Sequence, residues 1–248
     1  MNLHLISDIH LECLEDDYDL NKFVSGPNNN NSILVLCGDV CSIYLYDKLK
    51  EFLKHVCNMF KHVIYVPGNN EFYKIQGIKP QNYIELCKQL DKYSEDFSNL
   101  HILNNSCIQI EKYLFCGSIL WTQTNILPKF FRIHGFNKDI YNRKNKQDTL
   151  FIEKCINYSK TNNLIPIIIT HYPPSKICIK SNNDKFDKYK TLYYNDLDYL
   201  FNNNLVWIYG HTHFNLNKQI NNTLLVSNQY GKGQNIDDTF KNNFIVNI

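Results

Sequence analysis

Short apolar runs, each closed by a polar cluster, recur along the chain. Leu3, Leu5 and Ile6 read as a buried strand, followed at once by Asp8 and His10. Ser32–Cys37 ends in Gly38-Asp39, and such a continuous apolar run predicts a strand buried on both faces. His62–Val66 ends in Pro67-Gly68-Asn69-Asn70-Glu71, Ile165–Thr170 in His171, and Leu205–Tyr209 in Gly210-His211-Thr212-His213. Between these runs, Tyr46–Phe60 places Leu49, Phe52, Leu53, Val56 and Phe60 on one helical face. Pro80–Phe97 and Asp148–Lys160 read as further helices, and Tyr193–Phe201 as a short one. Weaker strand signals fall at His101–Leu103, Ser106–Glu111, Tyr113–Gly117, Leu216–Ile220, Thr223–Val226 and Phe244–Ile248, with hairpin turns expected near Lys112 and at Asn221-Asn222. Trp121–Asn145 and the lysine-rich Ser175–Thr191 read as irregular, and Asn28–Asn31 as a loop tip. The strand–helix–strand order of the first half predicts a parallel sheet with right-handed crossovers, giving an α/β class with hairpins later.

Composition narrows the field. Apolar residues make up 44% and charged residues 20% of the 248, enough for a core and against a disordered chain. A net charge of +2 gives little support to a long nucleic-acid groove or a basic membrane binder. Nine cysteines, an odd number with no Cys-x-x-Cys, suggest a reduced setting and not a disulfide framework. No basic-then-apolar leader and no long apolar run are visible, so a soluble, cytoplasmic protein is expected. No repeat or linker divides residues 1–248, which are read as one domain.

The polar clusters carry the chemistry. In an extended chain Asp8 and His10 point to one side, where a carboxylate and an imidazole can grip one metal ion. Alone, Asp-x-His is a weak signal, Gly-Asp and Gly-Asn are ordinary turn chemistry, and a histidine after a strand is often structural. All five clusters, however, follow buried strands, and ligand sites in α/β folds form beyond the carboxyl ends of strands. In that order they resemble the calcineurin-like metallophosphoesterases, whose pattern is Asp-x-His, Gly-Asp, Gly-Asn-His-Asp/Glu, a single His and Gly-His-x-His. The flanking Ser7-Asp-Ile-His-Leu-Glu12, Val66-Pro-Gly68 and Tyr209-Gly-His-Thr-His213 are similar to small bacterial-type members.

The resemblance implies two mainly mixed sheets packed as a sandwich with helices outside. It also implies that Asp8, His10 and His213 hold one cation, that Asn69, His171 and His211 hold a second, and that Asp39 bridges them. Imidazole, amide and carboxylate donors without a cysteine suit manganese first, with iron or zinc as alternatives. Two dications facing two carboxylates leave the site positive, which favours an anionic phosphate ester and acidifies a bridging water to a hydroxide nucleophile. One position departs from the family: the usual histidine after Gly-Asn is Asn70. Asn70 can donate a hydrogen bond but cannot serve as an acid at neutral pH.

The expected function is therefore a dinuclear-metal phosphodiesterase acting on a nucleotide-like or other small substrate. The alternatives are a metal-binding scaffold of the same fold and a phosphomonoesterase or protein phosphatase. Tyr73 and His134 are candidate replacement acids, with an exposed loop residue the plain alternative for His134. Glu12 or Glu71 is a candidate partner for a metal-bound imidazole, a solvated glutamate being the alternative. Arg132 and Arg143, the two arginines, lie in a stretch expected over the site; they would grip a second phosphate or a base, or be surface residues.

Overall fold

The computed structural model describes residues 1–15, 17–25, 32–180, 189–233 and 235–248. The loop tip expected at Asn28–Asn31, and residues 181–188 of the expected lysine-rich loop, lie outside the described residues.

The apolar runs become the inner strands of two sheets. The first sheet has the order β13-β1-β2-β3-β4, from β1 (Asn2–Ile6), β2 (Ile33–Cys37), β3 (His62–Val66), β4 (Leu100–Ile102) and β13 (Ile245–Asn247). Its neighbours are parallel except for the antiparallel edge strand β13. The second sheet has the order β5-β6-β7-β8-β10-β9, from β5 (Ser106–Ile110), β6 (Tyr113–Ser118), β7 (Ile165–Thr170), β8 (Leu205–Ile208), β9 (Asn217–Ile220) and β10 (Thr223–Val226). Here β6, β7, β8 and β10 run parallel while β5 and β9 are antiparallel edges, each made by a hairpin; β11 (Gly231–Lys232) and β12 (Asn235–Ile236) form a separate antiparallel pair. Both hairpin turns fall where the sequence places them, with Glu111 and Asn221 in the left-handed region.

The period of two along each strand explains the layers. Leu3, Leu5, Val35, Ile64 and Val66 of the first sheet meet Phe115, Ile167, Ile169, Ile208 and Val226 of the second in the central core. The alternate residues Leu34, Leu36, Val63 and Tyr65 face helices α1 (Tyr46–Met59) and α2 (Tyr83–Asp96). On the other side Leu114, Cys116, Ile168 and Trp207 meet Ile152, Cys155 and Ile156 of α3 (Lys138–Thr161). Strands buried on both faces carry no polar alternation, which is why they read as continuous apolar runs. The result is the expected helix–sheet–sheet–helix sandwich. No helix among the described residues is long and apolar enough to cross a membrane.

Three expectations are corrected. Helix α3 starts at Lys138, so the second part of Trp121–Asn145 is helical, with Asn137 capping Ile140 N at 2.9 Å. Its first turns are mostly exposed, and one of the few inward residues, Asn145, is polar; that hides the helical period. Tyr193–Phe201 contains only a single turn at Asp198–Leu200. Helix α2 begins three residues after Pro80, where Asn82 and Glu85 form a reciprocal capping box.

Buried Asp148 ties α3 to the strand β6 exit. It accepts from Asn105 Nδ2 at 2.6 Å and from Trp121 N at 3.1 Å. Burial pushes its carboxyl up to about 6. The folded value is above the ordinary 3.8, so the protonated form is favoured by folding. This contribution is complete below the ordinary value and is lost as pH rises through about 6. Over that window the loss is about 3 kcal/mol. Denaturant titrations at pH 4 to 7 are expected to show a wild-type decline that is flattened in Asp148→Asn; equal slopes would contradict it.

Candidate metal centre

The strand register brings the five polar clusters to one end. Ile6 pairs with Leu36 and Cys37 with Val66, so the Asp8, Asp39 and Asn69 loops leave the first sheet side by side. Ile169 pairs with Ile208, which does the same for the His171 and His211 loops of the second sheet. Glycines let the two sets of loops touch. A Cβ at Gly68 would lie 2.2 Å from Asp39 Oδ1, and one at Gly38 would lie 2.5 Å from His171 Nδ1. Any side chain at either position would displace a candidate ligand.

Asp8, His10, Asp39, His211 and His213 all have left-handed backbone, with φ between 49° and 75°. For L-residues this costs about 1–2 kcal/mol each, and such strain collects at functional sites. Hydrogen bonds hold the turns. Asp8 N donates to Gly38 O at 3.0 Å and His10 N to Asp39 O at 2.9 Å. His211 N donates to both Asp8 oxygens, at 3.1 and 3.0 Å, and His213 N to Gln229 Oε1 at 2.7 Å.

Two groups result, Asp8/His10/His213 and Asp39/His171/His211, and within each the ligand atoms lie within 4.8 Å of one another. Asp39 lies between the groups: Oδ1 is 3.3 Å from His171 Nε2 and Oδ2 is 3.7 Å from His10 Nε2. Asn69 Oδ1 lies 3.0 Å from His171 Nε2, placing it with the second group. The imidazoles are oriented from behind. His171 Nδ1 donates to Cys37 O at 2.8 Å, and His211 Nε2 to Leu192 O at 3.2 Å. His10 Nδ1 meets Glu12 Oε1 at 3.0 Å. The opposite ring nitrogen is thereby left to face the centre, which is the arrangement that metal-binding histidines require.

The electrostatics fit cations. Asp8 and Asp39 are both buried. Burial alone would raise the Asp39 carboxyl, but His171, His10 and His211 outweigh it and hold Asp39 well below the usual range. Burial likewise works against charge on His171, yet the carboxylates of Asp39, Asp8 and Glu71 push it up to about 9. Burial, and next the charge on His171, push His211 down to about 3. The buried carboxylates and imidazoles are thus one tightly interacting set of charges.

The remaining candidates separate. Glu12 is the imidazole partner; Glu71 is not. Fully buried Glu71 accepts from Asp39 N (2.9 Å), Val40 N (2.7 Å), Gly68 N (2.8 Å) and the Tyr65 hydroxyl (2.6 Å). It ties the Asp39 loop to the Gly68 loop, and burial together with the Asp39 charge raises it to about 7. Asn70 donates to Asp39 twice, from its backbone N at 2.8 Å and from its side-chain amide. Tyr73 closes the turn that begins at Asn69, and burial raises the pKa of its hydroxyl. His134 is exposed and bridges to Asn82 at the start of α2. Arg143 is exposed on α3, while Arg132 lines a cavity shared with Asn70.

Three neighbours have no local sequence signal. Tyr172 packs its ring 4.0 Å from that of His211, Tyr193 flanks the same ring at 5.7 Å, and Gln229 caps the His213 loop. Only the tertiary fold brings them to the centre.

Fold and site together define an α/β sandwich with two adjoining metal-competent residue groups at its strand ends. The family model for calcineurin-like phosphoesterases matches residues 1–215, and the chain belongs to that family. A protein of Acanthamoeba polyphaga mimivirus, designated uncharacterized protein L509, is 29% identical over 264 residues, covering 92% of this chain and 90% of its own. Among solved structures, phosphopantetheinyl hydrolase (PptH) from Mycobacterium tuberculosis superposes with a TM-score of 0.61 at 15% identity, covering 94% of this chain and 90% of that one. At that identity the likeness is one of fold.

Proposed function

We propose that the protein is a metal-dependent hydrolase of phosphate esters, acting as a phosphodiesterase on a nucleotide-like or other small substrate. Residues 1–248 are read as one catalytic domain, and the unpaired cysteines suit a reduced, cytoplasmic setting. The observation that carries this reading is Asp39 placed between two residue groups, each able to hold a cation. Asp8, His10 and His213 would hold one ion, Asn69, His171 and His211 the second, with Asp39 shared, manganese being the first choice. When bound, such a pair supplies an acidified water at neutral pH and neutralises the phosphoryl oxygens of an in-line displacement.

The chain's own residues do the rest. Glu12, Cys37 O and Leu192 O fix the orientation of three imidazoles. Glu71 holds the Asp39 loop in register with the Gly68 loop. Asn70 presents an amide donor beside Asp39 where the family pattern has an imidazole. Tyr73, kept protonated by burial on the same turn as Asn69, would be the proton source for a leaving oxygen.

The first test is hydrolysis of bis(p-nitrophenyl) phosphate and p-nitrophenyl phosphate with Mn²⁺ and with chelator. Metal-dependent turnover of the diester above the monoester is expected. Bound metal with turnover of neither would favour the second reading, a metal-binding scaffold, which Asn70 alone recommends. Restoring the imidazole tests position 70 directly. Asn70→His is expected to raise the rate by about a hundredfold for poor leaving groups and little for good ones. An equal effect across a series of aryl esters would show that position 70 does not assist departure.

A further inference from the structure

Next to Asn70 the surface opens into a cavity of about 210 Å³, lined among others by Tyr73, Lys74, Arg132 and Lys232. Three of these are cations, against one carboxylate in the wall, Glu12. Glu12 is already engaged: its Oε1 lies 3.0 Å from His10 Nδ1 and 3.6 Å from Lys232 Nζ. Among the described residues no carboxylate pairs with Arg132 or Lys74. The cavity therefore carries an excess of positive charge, from Arg132 and Lys74, beside the metal centre.

Arg132 is positioned and not merely present. Its neighbours Phe131 and Ile133 are anchored, Phe131 against the rings of Tyr73, Trp121 and Tyr141 (5.5, 5.8 and 5.3 Å) and Ile133 in the core. Its carbonyl accepts from Lys74 N at 2.9 Å, and its guanidinium lies 5.8 Å from the centre of the Tyr73 ring. Tyr73 closes the short turn that begins at Asn69, so one loop carries both the ring beside the guanidinium and a candidate ligand. Only two of the chain's 26 Lys and Arg residues are arginines, and one of them stands here. A planar guanidinium grips phosphate through two parallel hydrogen bonds, which an ammonium cannot do.

We infer that this cavity is a subsite for a second phosphate, so that the substrate is a nucleotide-like ester carrying two phosphate groups. One group would sit at the metal centre while Arg132, with Lys232 in the same lining, receives the other. The inference rests on the phosphoesterase reading for the role of the first phosphate.

The test is calorimetric binding to the full chain at fixed excess Mn²⁺. The probes are thymidine 5′-monophosphate, thymidine 3′,5′-bisphosphate and thymidine 5′-diphosphate. At least one two-phosphate probe is expected to bind about tenfold or more tightly than the monophosphate. Arg132→Ala should erase that ratio, Arg132→Lys should keep part of it, and Lys232→Ala should reduce it. A ratio of dissociation constants within one preparation does not depend on how much of it is folded. The subsite is overturned if neither two-phosphate probe is preferred, or if the preference survives both alanine variants. Hydrolysis of bis(p-nitrophenyl) phosphate by the same preparations tests the phosphoesterase reading separately, since that ester carries one phosphorus.

Discussion

Asp39→Asn is expected to lose cooperative loading of two cations and to lower diester hydrolysis by more than about a thousandfold. The reason is position. Asp39 lies against both groups, 3.3 Å from His171 and 3.7 Å from His10. An amide at that place keeps the shape and removes the charge that would be shared. A second effect separates this account from simple misfolding. In the metal-free protein Asp39 is the foremost of the carboxylates that raise His171 to about 9. Without its charge the His171 titration should fall towards the ordinary histidine range. Proton NMR of the imidazoles follows that directly, and metal titration follows the loading. Wild-type hydrolysis by the variant would refute the assignment of Asp39.

Glu71→Ala is expected to cost roughly 4 kcal/mol of stability and to remove activity with it. Four donors converge on this one buried carboxylate, three of them backbone N–H groups of the Asp39 and Gly68 loops. Alanine would leave those donors buried and unpaired, which is costlier than never having built the pairs. Glu71→Gln keeps the volume but turns one acceptor into a donor facing donors, so its loss should be intermediate. Denaturant unfolding of the chelated protein measures the effect without contributions from bound ions. A loss below about 1 kcal/mol, within the range of ordinary surface changes, would mean that the two loops are held by something else.

The candidate ligands were legible because each follows a strand buried on both faces. Val35 and Leu36 point to opposite cores, and the chain then turns abruptly at Gly38-Asp39. The polar residues after such strands have one place to go. The first half of α3 was not legible because Lys138, Arg143, Lys146 and Gln147 are exposed and buried Asn145 is polar. Asn145 satisfies itself on Trp121 O and Asn195 Oδ1, partners that exist only in the folded chain. The role of Glu71 escaped for the same reason. Its sequence neighbours suggest an imidazole partner, whereas two of its four bonds run to backbone amides of a loop from another strand. Gln229, Tyr172 and Tyr193 likewise take their meaning from contacts distant in sequence.

The left-handed backbone at five of the candidate ligands bears on how this protein can evolve. Glycine and asparagine adopt that twist most readily, while aspartate and histidine also visit it more often than most residues. The alphabet the backbone tolerates therefore overlaps the alphabet the metal chemistry needs, and mutational drift has few neutral exits. A lineage selected only for persistence of the fold should move positions 8, 10, 39, 211 and 213 towards glycine or asparagine and relax about 1 kcal/mol or more at each. A lineage selected for turnover must keep them as they are. In a mutagenised population the two pressures would be told apart by the residues that survive at these five turns.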